Sequence, residues 1–245
     1  MAVVRPEAAE AAALRSDADA LPRHVAIIMD GNRRWARDRG LTAAEGHAAG
    51  VEAIRPIVRR ATERGVEVLS LYAFSRENWA RPDPEVQTLL ELMAQAIRDE
   101  TPDLARNGAR VRVLGRLDEL PASTQAAIRD AVAATAGGTR LTLNVAFNYS
   151  GRSELVDAAR RCVTDGLRAD EIDEAALAAR LYTSDLPEPD LVIRTGGDQR
   201  LSNFLIWQAA YAEFYFCDTF WPAFDSTALD AALADFATRS RRFGR

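Results

Sequence analysis

The stretch that most constrains the fold is residues 24–39, which read HVAIIMDGNRRWARDR. Its apolar part, residues 25–29, has no polar residue at alternate positions, which predicts a strand buried on both faces. The strand ends at the acidic Asp30. Gly31 and Asn32 then favour a turn that tolerates positive φ. A buried strand that runs directly into a carboxylate and a glycine turn indicates that something is bound at its end.

A basic helix start is predicted after this turn, where Arg33, Arg34, Arg37 and Arg39 surround Trp35. This arrangement suits a phosphate held by a metal ion. The carboxylate would hold the cation, while backbone N–H groups and arginine forks would grip the phosphate oxygens. The same residues also suit a buried strand followed by an ordinary solvated helix, so the pattern alone leaves both interpretations open.

Strands and helices alternate along the rest of the chain. Further strands are predicted at residues 66–74, 110–114, 141–147, 190–195 and 214–217. The alternation predicts an α/β fold with a mainly parallel sheet covered by helices on both faces. We expect one domain over residues 22–245, preceded by a flexible segment over residues 1–21.

Two of the predicted helices have special features. The one that begins at Gly46 contains Pro56, where we expect a kink or short break. The other begins at Asp83, and its apolar side chains recur at helical spacing. That apolar stripe is either plain core or one wall of an apolar channel. Its members are Val86, Leu89, Leu90, Met93 and Ile97.

Composition excludes several classes of function. The net charge of −5 argues against a nucleic-acid-binding surface, which is normally basic. All 31 basic residues are arginine, so a Walker-type phosphate loop and a Schiff-base lysine are excluded. Two cysteines and two histidines are too few for a closed zinc site, and any metal should therefore be a hard cation bound by oxygen. Residues 1–20 lack the apolar centre of a signal peptide, and we expect a cytoplasmic protein.

Three of the predicted strands end in polar turns, at Asp30, at Ser75 and at Arg194. Ligands of an open parallel sheet bind beyond the carboxyl ends of its strands, so the three turns should share one cleft. That cleft would contain several arginines, which need anions to neutralise them, and more than one phosphate group is expected. The arginines concerned are Arg34, Arg81, Arg194 and Arg200.

Five motifs, in this order, resemble those of the cis-prenyltransferase family. They are HVAIIMDGNRRWA, the Gly46-His47 pair, YAFSRENWARP, LNVAFNYSGR and DLVIRTGGDQRLSNFLIWQAAYAEFYF. The resemblance covers residues 22–242. It implies an Mg²⁺-dependent enzyme that adds isopentenyl diphosphate repeatedly to an allylic diphosphate, expected to be farnesyl diphosphate. The product would be a long Z-polyprenyl diphosphate such as undecaprenyl diphosphate.

The resemblance also implies roles for individual residues. Asp30 would be the catalytic and magnesium-binding acid, and Glu213 a second metal contact. Family accounts make the residue at Asn78 a proton acceptor, but a neutral amide is a very weak base, so we favour an orienting role for it. Substrate contacts are implied for Gly31, Asn32, Arg33, Arg34, Trp35, His47, Ser75, Arg76, Glu77, Trp79, Arg81, Arg194, Arg200, Leu201 and Ser202. Of these, Gly31, Asn32, Arg33 and Arg34 would hold the allylic diphosphate, with Trp35 and His47 nearby. Ser75, Arg76 and Glu77 would border the substrate, and Arg81, Arg194, Arg200 and Ser202 would hold the isopentenyl diphosphate.

The family further implies a homodimer and contact with membrane lipid through the product, at the cytoplasmic face. The chain departs from the family pattern at Ala43, where an arginine is usual, and at Arg76, where a small hydroxyl residue is usual. Arg76 could supply the charge that Ala43 lacks. Ala73, just before the second polar turn, is expected to face the start of an apolar tunnel.

Three alternatives remain. A non-catalytic scaffold subunit would lack the first acid or the late arginines, which this chain retains. A magnesium phosphohydrolase would explain neither the two groups of arginines nor the channel helix. A synthase of short-chain or branched prenyl diphosphates is the closest competitor, because it differs only in the product.

Overall fold

The computed structural model describes residues 21–239. Its strands are β1 (His24–Ile28), β2 (Val68–Ser75), β3 (Ala109–Leu114), β4 (Leu141–Tyr149), β5 (Leu191–Arg194) and β6 (Glu213–Phe216). Its α-helices are α1 (Asn32–Arg37), α2 (Ala43–Glu52), α3 (Ile54–Glu63), α4 (Asp83–Arg106), α5 (Ala122–Ala134), α6 (Gly151–Thr164), α7 (Glu174–Ala178) and α8 (Ser226–Ala237). The segment predicted to be flexible lies outside the described residues, apart from Leu21.

All six strands form one parallel sheet in the order β3-β4-β2-β1-β5-β6. The predicted fold class is confirmed. In the register of the sheet, Ile28 of β1 lies opposite Tyr72 of β2 and Arg194 of β5. The carboxyl ends of these three strands therefore meet at one edge, and the polar turns that follow them are neighbours.

The uninterrupted apolar run of β1 is explained by burial on both faces of the sheet. Val25 and Ile27 pack on one face, in a cluster that includes Ile57 of α3 and Phe236 of α8. Ala26 and Ile28 point to the opposite face, among side chains that include Phe204. A strand with solvent on one side would need alternating polar residues, and β1 has none.

The predicted helix break is found three residues before Pro56. Ala53 ends α2 and precedes α3, so Pro56 falls in the first turn of α3. A proline is tolerated there because the N–H groups of the first turn have no partner within the helix. The sequence pattern predicts helix over residues 152–182 with a break near Gly166, and the structure is less helical than that. Gly166, with φ of +84°, lies just beyond the end of α6, and only the short α7 follows.

Three buried polar side chains, His24 of β1, Ser70 of β2 and Asn144 of β4, are joined by hydrogen bonds across the sheet. His24 is fully buried, its Nδ1 lies 2.7 Å from the Pro187 carbonyl oxygen, and its Nε2 lies 2.7 Å from Ser70 Oγ. Because a carbonyl can only accept, Nδ1 carries the proton and Nε2 accepts from the Ser70 hydroxyl. Asn144 in turn donates to Ser70 Oγ at 2.8 Å. Burial lowers the pKa of His24 from 6.5 to about 4.

This histidine should make stability depend on pH. The folded protein binds the proton less readily than the unfolded chain, so the full stability is present above pH 6.5. It should decline as the pH falls from 6.5 to about 4 and then level off. The loss amounts to about 3 kcal/mol at 1.36 kcal/mol per pKa unit.

Urea unfolding of the wild type and of His24→Gln between pH 4 and pH 8 measures this effect, because the carboxylates titrate alike in both proteins. The free energy of unfolding of the wild type, relative to that of the variant, should fall as the pH is lowered through that window. A difference between the two proteins that stays constant with pH would contradict the prediction.

Candidate active site

Asp30 follows β1 and lies where three strands end. Its backbone N–H donates to Thr195 Oγ1 at 2.9 Å, which ties it to the turn after β5. Its carboxylate accepts a hydrogen bond of 2.8 Å from Arg194 and lies 3.2 Å from an Nη atom of Arg34. Burial raises the pKa of Asp30, but the hydrogen bond from Arg194 and the charges of Arg194 and Arg34 outweigh it, so the pKa is lowered. The carboxylate is therefore ionised at neutral pH.

Arg194 is the central donor of this cluster, with only 4% of its side chain exposed. Besides Asp30, it donates to Ser202 Oγ at 2.8 Å and to the Arg200 backbone carbonyl. Its Nε is buried and has no hydrogen-bond partner. A buried guanidinium group with one unused donor still has capacity for an acceptor.

A second carboxylate, Asp198, stands among the arginines of the same cluster. It accepts from Arg200 at 2.6 Å and from Arg194 at 3.4 Å, and it lies 3.8 Å from Arg34. Three arginines therefore share two carboxylates, Asp30 and Asp198. The local charge is positive and favours the binding of an anion.

Gly31 is required by the backbone at this point. Its φ of +106° is one that L side chains rarely adopt. A Cβ atom built there would lie 2.6 Å from Cδ1 and 3.0 Å from Cα of Phe220. Phe220 also packs against Arg34, whose Cζ lies 5.3 Å from the ring centroid. The turn can therefore approach Phe220 only as glycine.

A second basic group surrounds Glu85, in the first turn of α4. Arg81 donates to Glu85 Oε1 at 3.0 Å, and an Nη atom of Arg33 lies 3.8 Å from the same oxygen. His47 Nε2 is buried 3.6 Å from it and makes no hydrogen bond. Burial, followed by the charge of Arg81, lowers the pKa of His47. Two arginines and an imidazole thus converge on one point that a carboxylate now occupies.

Both basic groups line one pocket of about 310 Å³. Its walls come from the turn after β1, from α2, from the segment before α4 and from the turn after β5. The turns after β1 and β5 share this pocket, whereas Arg81 is the one residue of the polar segment 75–81 after β2 that lines it. The lining residues are Met29, Asp30, Gly31, Asn32, Arg33, Arg34, His47, Arg81, Asp198 and Arg200.

An apolar cavity of about 430 Å³ adjoins this pocket. It lies between the sheet and the helices α3 and α4, and Met29 lines both spaces. Ala73 lies in its wall, as expected. Met93 and Ile97 of α4 line it too, whereas Leu89 and Leu90 of the same stripe are in the core. The stripe on α4 therefore serves both as core and as cavity wall.

The short 3₁₀ helix Arg76–Ala80, which follows β2, is held from outside the pocket. Arg76 donates to Glu119 at 2.5 Å, so its charge is paired with that carboxylate. Trp79 donates to Asn148 at 2.8 Å. The Ser75 N–H donates to Asn78 Oδ1 at 3.0 Å, which occupies the amide oxygen of Asn78.

The loop after β5 has an unusual backbone. Ser202, Asn203 and Leu205 all have positive φ, between 43° and 65°. Asn203 fixes the loop by accepting from the Arg152 N–H at 2.9 Å and donating to Glu77 at 2.7 Å. Such strained non-glycine residues cluster at functional sites.

Several predicted site residues do not line the pocket, namely Trp35, Ser75, Arg76, Glu77, Asn78, Trp79, Arg194, Leu201, Ser202 and Glu213. Glu213 begins β6 and pairs with Leu191 at the start of β5, so it lies at the end of the sheet opposite to Asp30. Its carboxylate accepts from Arg239 at 2.9 Å. A single chain therefore does not bring Glu213 to Asp30. Trp35 is stacked under Arg39, whose Cζ lies 4.4 Å from its ring centroid, and it does not line the pocket.

Sequence reasoning missed the residues that position the predicted ones. Glu85 and Asp198 hold the arginines, and Thr195 and Phe220 fix Asp30 and Gly31. The four-residue spacing between Arg81 and Glu85 was a usable signal for one of these contacts. The approach of Phe220, almost two hundred residues from Gly31, has no signal in a single sequence.

The comparisons with known proteins agree on one family. Residues 28–244 match the family model described as "Putative undecaprenyl diphosphate synthase". The chain is 53% identical over 229 residues to the ditrans,polycis-undecaprenyl-diphosphate synthase, (2E,6E)-farnesyl-diphosphate specific, of Pseudomonas aeruginosa, covering 92% of this chain and 91% of that protein.

Solved structures give the same family. The crystal structure of lavandulyl diphosphate synthase from Lavandula x intermedia in complex with dimethylallyl diphosphate matches with a TM-score of 0.90 at 37% identity, over 93% of this chain and 100% of that one. A "probable undecaprenyl diphosphate synthase" from Campylobacter jejuni matches with a TM-score of 0.79 at 31% identity, over 91% and 99%. Within the described residues, no helix has the length and apolar character needed to cross a membrane.

The requirement for glycine at position 31 can be measured. Gly31→Ala should destabilise the fold more than Gly40→Ala, because both glycines have positive φ but a Cβ at Gly40 would meet nothing within 4 Å. The left-handed backbone costs alanine about 1–2 kcal/mol at either site. Overpacking against Phe220 should add about 1–3 kcal/mol at Gly31 alone. Urea unfolding of both variants measures the difference, and equal losses would contradict the role of Phe220.

Proposed function

The chain belongs to the undecaprenyl diphosphate synthase family of isoprenyl transferases, and we propose that it adds isopentenyl diphosphate repeatedly to farnesyl diphosphate, with undecaprenyl diphosphate as the product. The observation that carries this proposal is the meeting of two spaces at Met29. One has two groups of arginines suited to two diphosphates, and the other is apolar and suited to a hydrocarbon chain.

The two groups of arginines suggest how the substrates divide. We assign the allylic diphosphate to the turn after β1, with Arg33, Arg34 and His47, and the isopentenyl diphosphate to Arg81, Arg194, Arg200 and Ser202. Arg34 also lies 3.8 Å from Asp198, and Arg81 also contacts Glu85, so the two assigned sites adjoin each other. Arriving phosphate oxygens would take the places that Glu85 and Asp198 now hold among these groups. They would also give an acceptor to His47 Nε2 and Arg194 Nε, which have none.

The chemistry asks for charge stabilisation and for a dry space. The bond between the allylic carbon and its diphosphate breaks, the double bond of isopentenyl diphosphate attacks that carbon, and the proton lost from the isopentenyl unit passes to an oxygen of the departing diphosphate. Arginines near the leaving diphosphate stabilise its growing charge, and the apolar cavity receives the hydrocarbon. Asn78 acts by orientation in this scheme, because its amide oxygen already accepts from Ser75 and a neutral amide is a very weak base.

The donor set of the pocket suits Mg²⁺. Asp30 offers an ionised and partly exposed carboxylate, and Mg²⁺ is typically bound through one or two carboxylates together with substrate phosphates and water. Among the described residues, no cluster of three or more acidic, histidine or cysteine side chains exists that would hold a metal without substrate. When bound, the ion would neutralise the departing diphosphate. Glu213 has no such role within its own chain, because it lies at the other end of the sheet.

The test of the proposed function is to incubate the purified protein with labelled isopentenyl diphosphate and, separately, with dimethylallyl, geranyl or farnesyl diphosphate, with Mg²⁺ or with EDTA. A polyprenyl series that needs Mg²⁺ and is made fastest from farnesyl diphosphate is expected. No incorporation with any primer would overturn the proposal.

A short-chain or branched prenyl diphosphate synthase is the second candidate. The high structural similarity to lavandulyl diphosphate synthase favours it, whereas the higher identity to the Pseudomonas aeruginosa relative favours the long chain. A product that stops after one or two additions would decide for the second candidate. A long product would partition into lipid, and we therefore place the enzyme at the cytoplasmic face of the membrane.

Asp30→Asn should lower kcat at least about 100-fold, because the substitution removes a charge worth several kcal/mol to the transition state. The fold should persist, since the side chain keeps its shape. Asp165→Asn is the matched control, because Asp165 accepts from Arg180 at 2.8 Å outside the pocket. Asp30→Asn activity above a tenth of the wild-type kcat would sink the assignment of Asp30.

Arg200→Ala should raise the KM for isopentenyl diphosphate about 10-fold and leave the KM for the primer unchanged, since a charged hydrogen bond contributes about 1.5–3 kcal/mol. Arg33→Ala should do the reverse. Both side chains are more than half exposed, at 62% and 58%, so neither truncation should affect folding. The opposite pattern of KM changes would mean that the two sites are interchanged.

A homodimer is also proposed, through the surface around β6. β6 is an edge strand of the sheet. Its Phe214 and Phe216 rings are stacked with their centroids 6.1 Å apart, and Tyr211 is 70% exposed. The exposed rings of Tyr211 and Phe216 beside an edge strand indicate an interface. Light scattering at micromolar concentration should give twice the chain mass. Phe216→Asp should shift the protein to monomer, while Val163→Asp, at a lone exposed valine on α6, should not. A monomeric wild type would contradict the proposal.

A further inference from the structure

The apolar cavity is too small for the product of the proposed function, and this inference depends on that function. A cavity of about 150 Å³ holds one benzene ring, or roughly 25 Å³ per carbon. By that measure 430 Å³ takes roughly 17 carbons, which is three to four isoprenyl units. An undecaprenyl chain has eleven such units and needs roughly three times the space. The cavity must therefore widen as the chain grows.

The walls differ in their ability to move. The floor is the parallel sheet, with Leu71 and Leu143 on hydrogen-bonded neighbouring strands. The roof consists of α3 and α4. Widening therefore means that these two helices move apart.

Both roof helices are weakened at corresponding places. α4 contains Pro102, which lacks an N–H, and the Thr101 hydroxyl donates to the Ile97 carbonyl at 2.5 Å, a contact that often bends helices. α3 begins immediately after the break at Ala53 and has no side-chain cap. We therefore expect α4 to bend near Pro102, and α3 near Ala53, more easily than elsewhere.

One ion pair joins the two helices at this level. Arg55 of α3 donates through Nε to Glu100 Oε2 at 3.0 Å and through Nη2 to Oε1 at 2.5 Å. Of the ion pairs between described residues, this is the one that connects α3 with α4, and both side chains line the cavity. Beyond it the walls become polar, with Arg59 and Glu63 on α3 and Asn107 after α4.

We propose that the Arg55–Glu100 ion pair closes the roof of the cavity and limits the length of the product. The pair is partly exposed, with 50% of the Arg55 side chain accessible, so it holds the helices only weakly. Each widening of the roof must stretch or break this contact, and its cost adds to that of exposing the chain to the polar rim. Elongation ends when these costs together exceed what burial of a further five-carbon unit contributes. A weaker pair lets the roof open further and gives longer products.

The test is a charge reversal with rescue, on the full-length enzyme. Arg55→Glu and Glu100→Arg each place like charges across the roof, and the double variant restores the pair in the opposite sense. Product length is measured by chromatography of the dephosphorylated products from labelled isopentenyl diphosphate and farnesyl diphosphate. Each single variant should shift the main product by at least one unit towards longer chains, and the double variant should return it to the wild-type length.

A matched control exists elsewhere on the surface. Arg23 and Glu67 form a similar bidentate ion pair, in which Nε donates to Oε1 at 2.9 Å and Nη2 donates to Oε2 at 2.8 Å. Neither residue lines the cavity. Arg23→Glu and Glu67→Arg should leave product length unchanged. If a reversal variant fails to fold, Glu100→Gln and the wild type in 1 M NaCl, where the Debye length is about 3 Å, should show the same lengthening.

The outcomes separate the two proposals. Single variants with the wild-type product series overturn the role of the ion pair alone, as does a folded double variant that keeps the longer products. A wild type that makes no polyprenyl product from any primer overturns the proposed function, and this inference with it.

Discussion

The site depends on the ion pair between Asp30 and Arg194, whose 2.8 Å contact joins the ends of two adjacent strands. The pair is formed because β1 and β5 are parallel neighbours and each ends at that edge. Arg194 then reaches Ser202 and the Arg200 carbonyl, and Asp30 reaches Arg34. The sheet thus fixes the carboxylate of Asp30 after β1 and the guanidinium group of Arg194 at the end of β5, and the loops are arranged around these two charges.

A pocket with so many arginines must be held together before its substrates arrive. Glu85 and Asp198 do this by standing at the two points where guanidinium groups converge. These two carboxylates hold the arginines in place, but they do not neutralise all of the positive charge of the pocket. The absence of lysine fits this arrangement, since a planar guanidinium can contact a carboxylate and a phosphate through different N–H groups.

The sequence was informative where local chemistry decides the structure. The apolar run before Asp30 and the polar turns after it were enough to predict the sheet and the edge at which the site forms. Position within a strand was not predictable in the same way. Glu213 begins β6 instead of ending it, and only the pairing with Leu191 shows this. The approach of Phe220 to Gly31 and the hold of Glu119 on Arg76 depend on packing between distant segments, which a single sequence does not encode in any local pattern.

The position of β1 in the sheet has a consequence for biosynthesis. β1 lies between β2 and β5, and Asp30 is separated from Arg194 by 164 residues. One edge of β1 therefore stays without its neighbour until most of the chain has left the ribosome. At about 5–20 residues per second, this interval lasts on the order of ten to thirty seconds. During that time an apolar strand edge is open to pairing with other chains, which is a route to aggregation of the nascent protein.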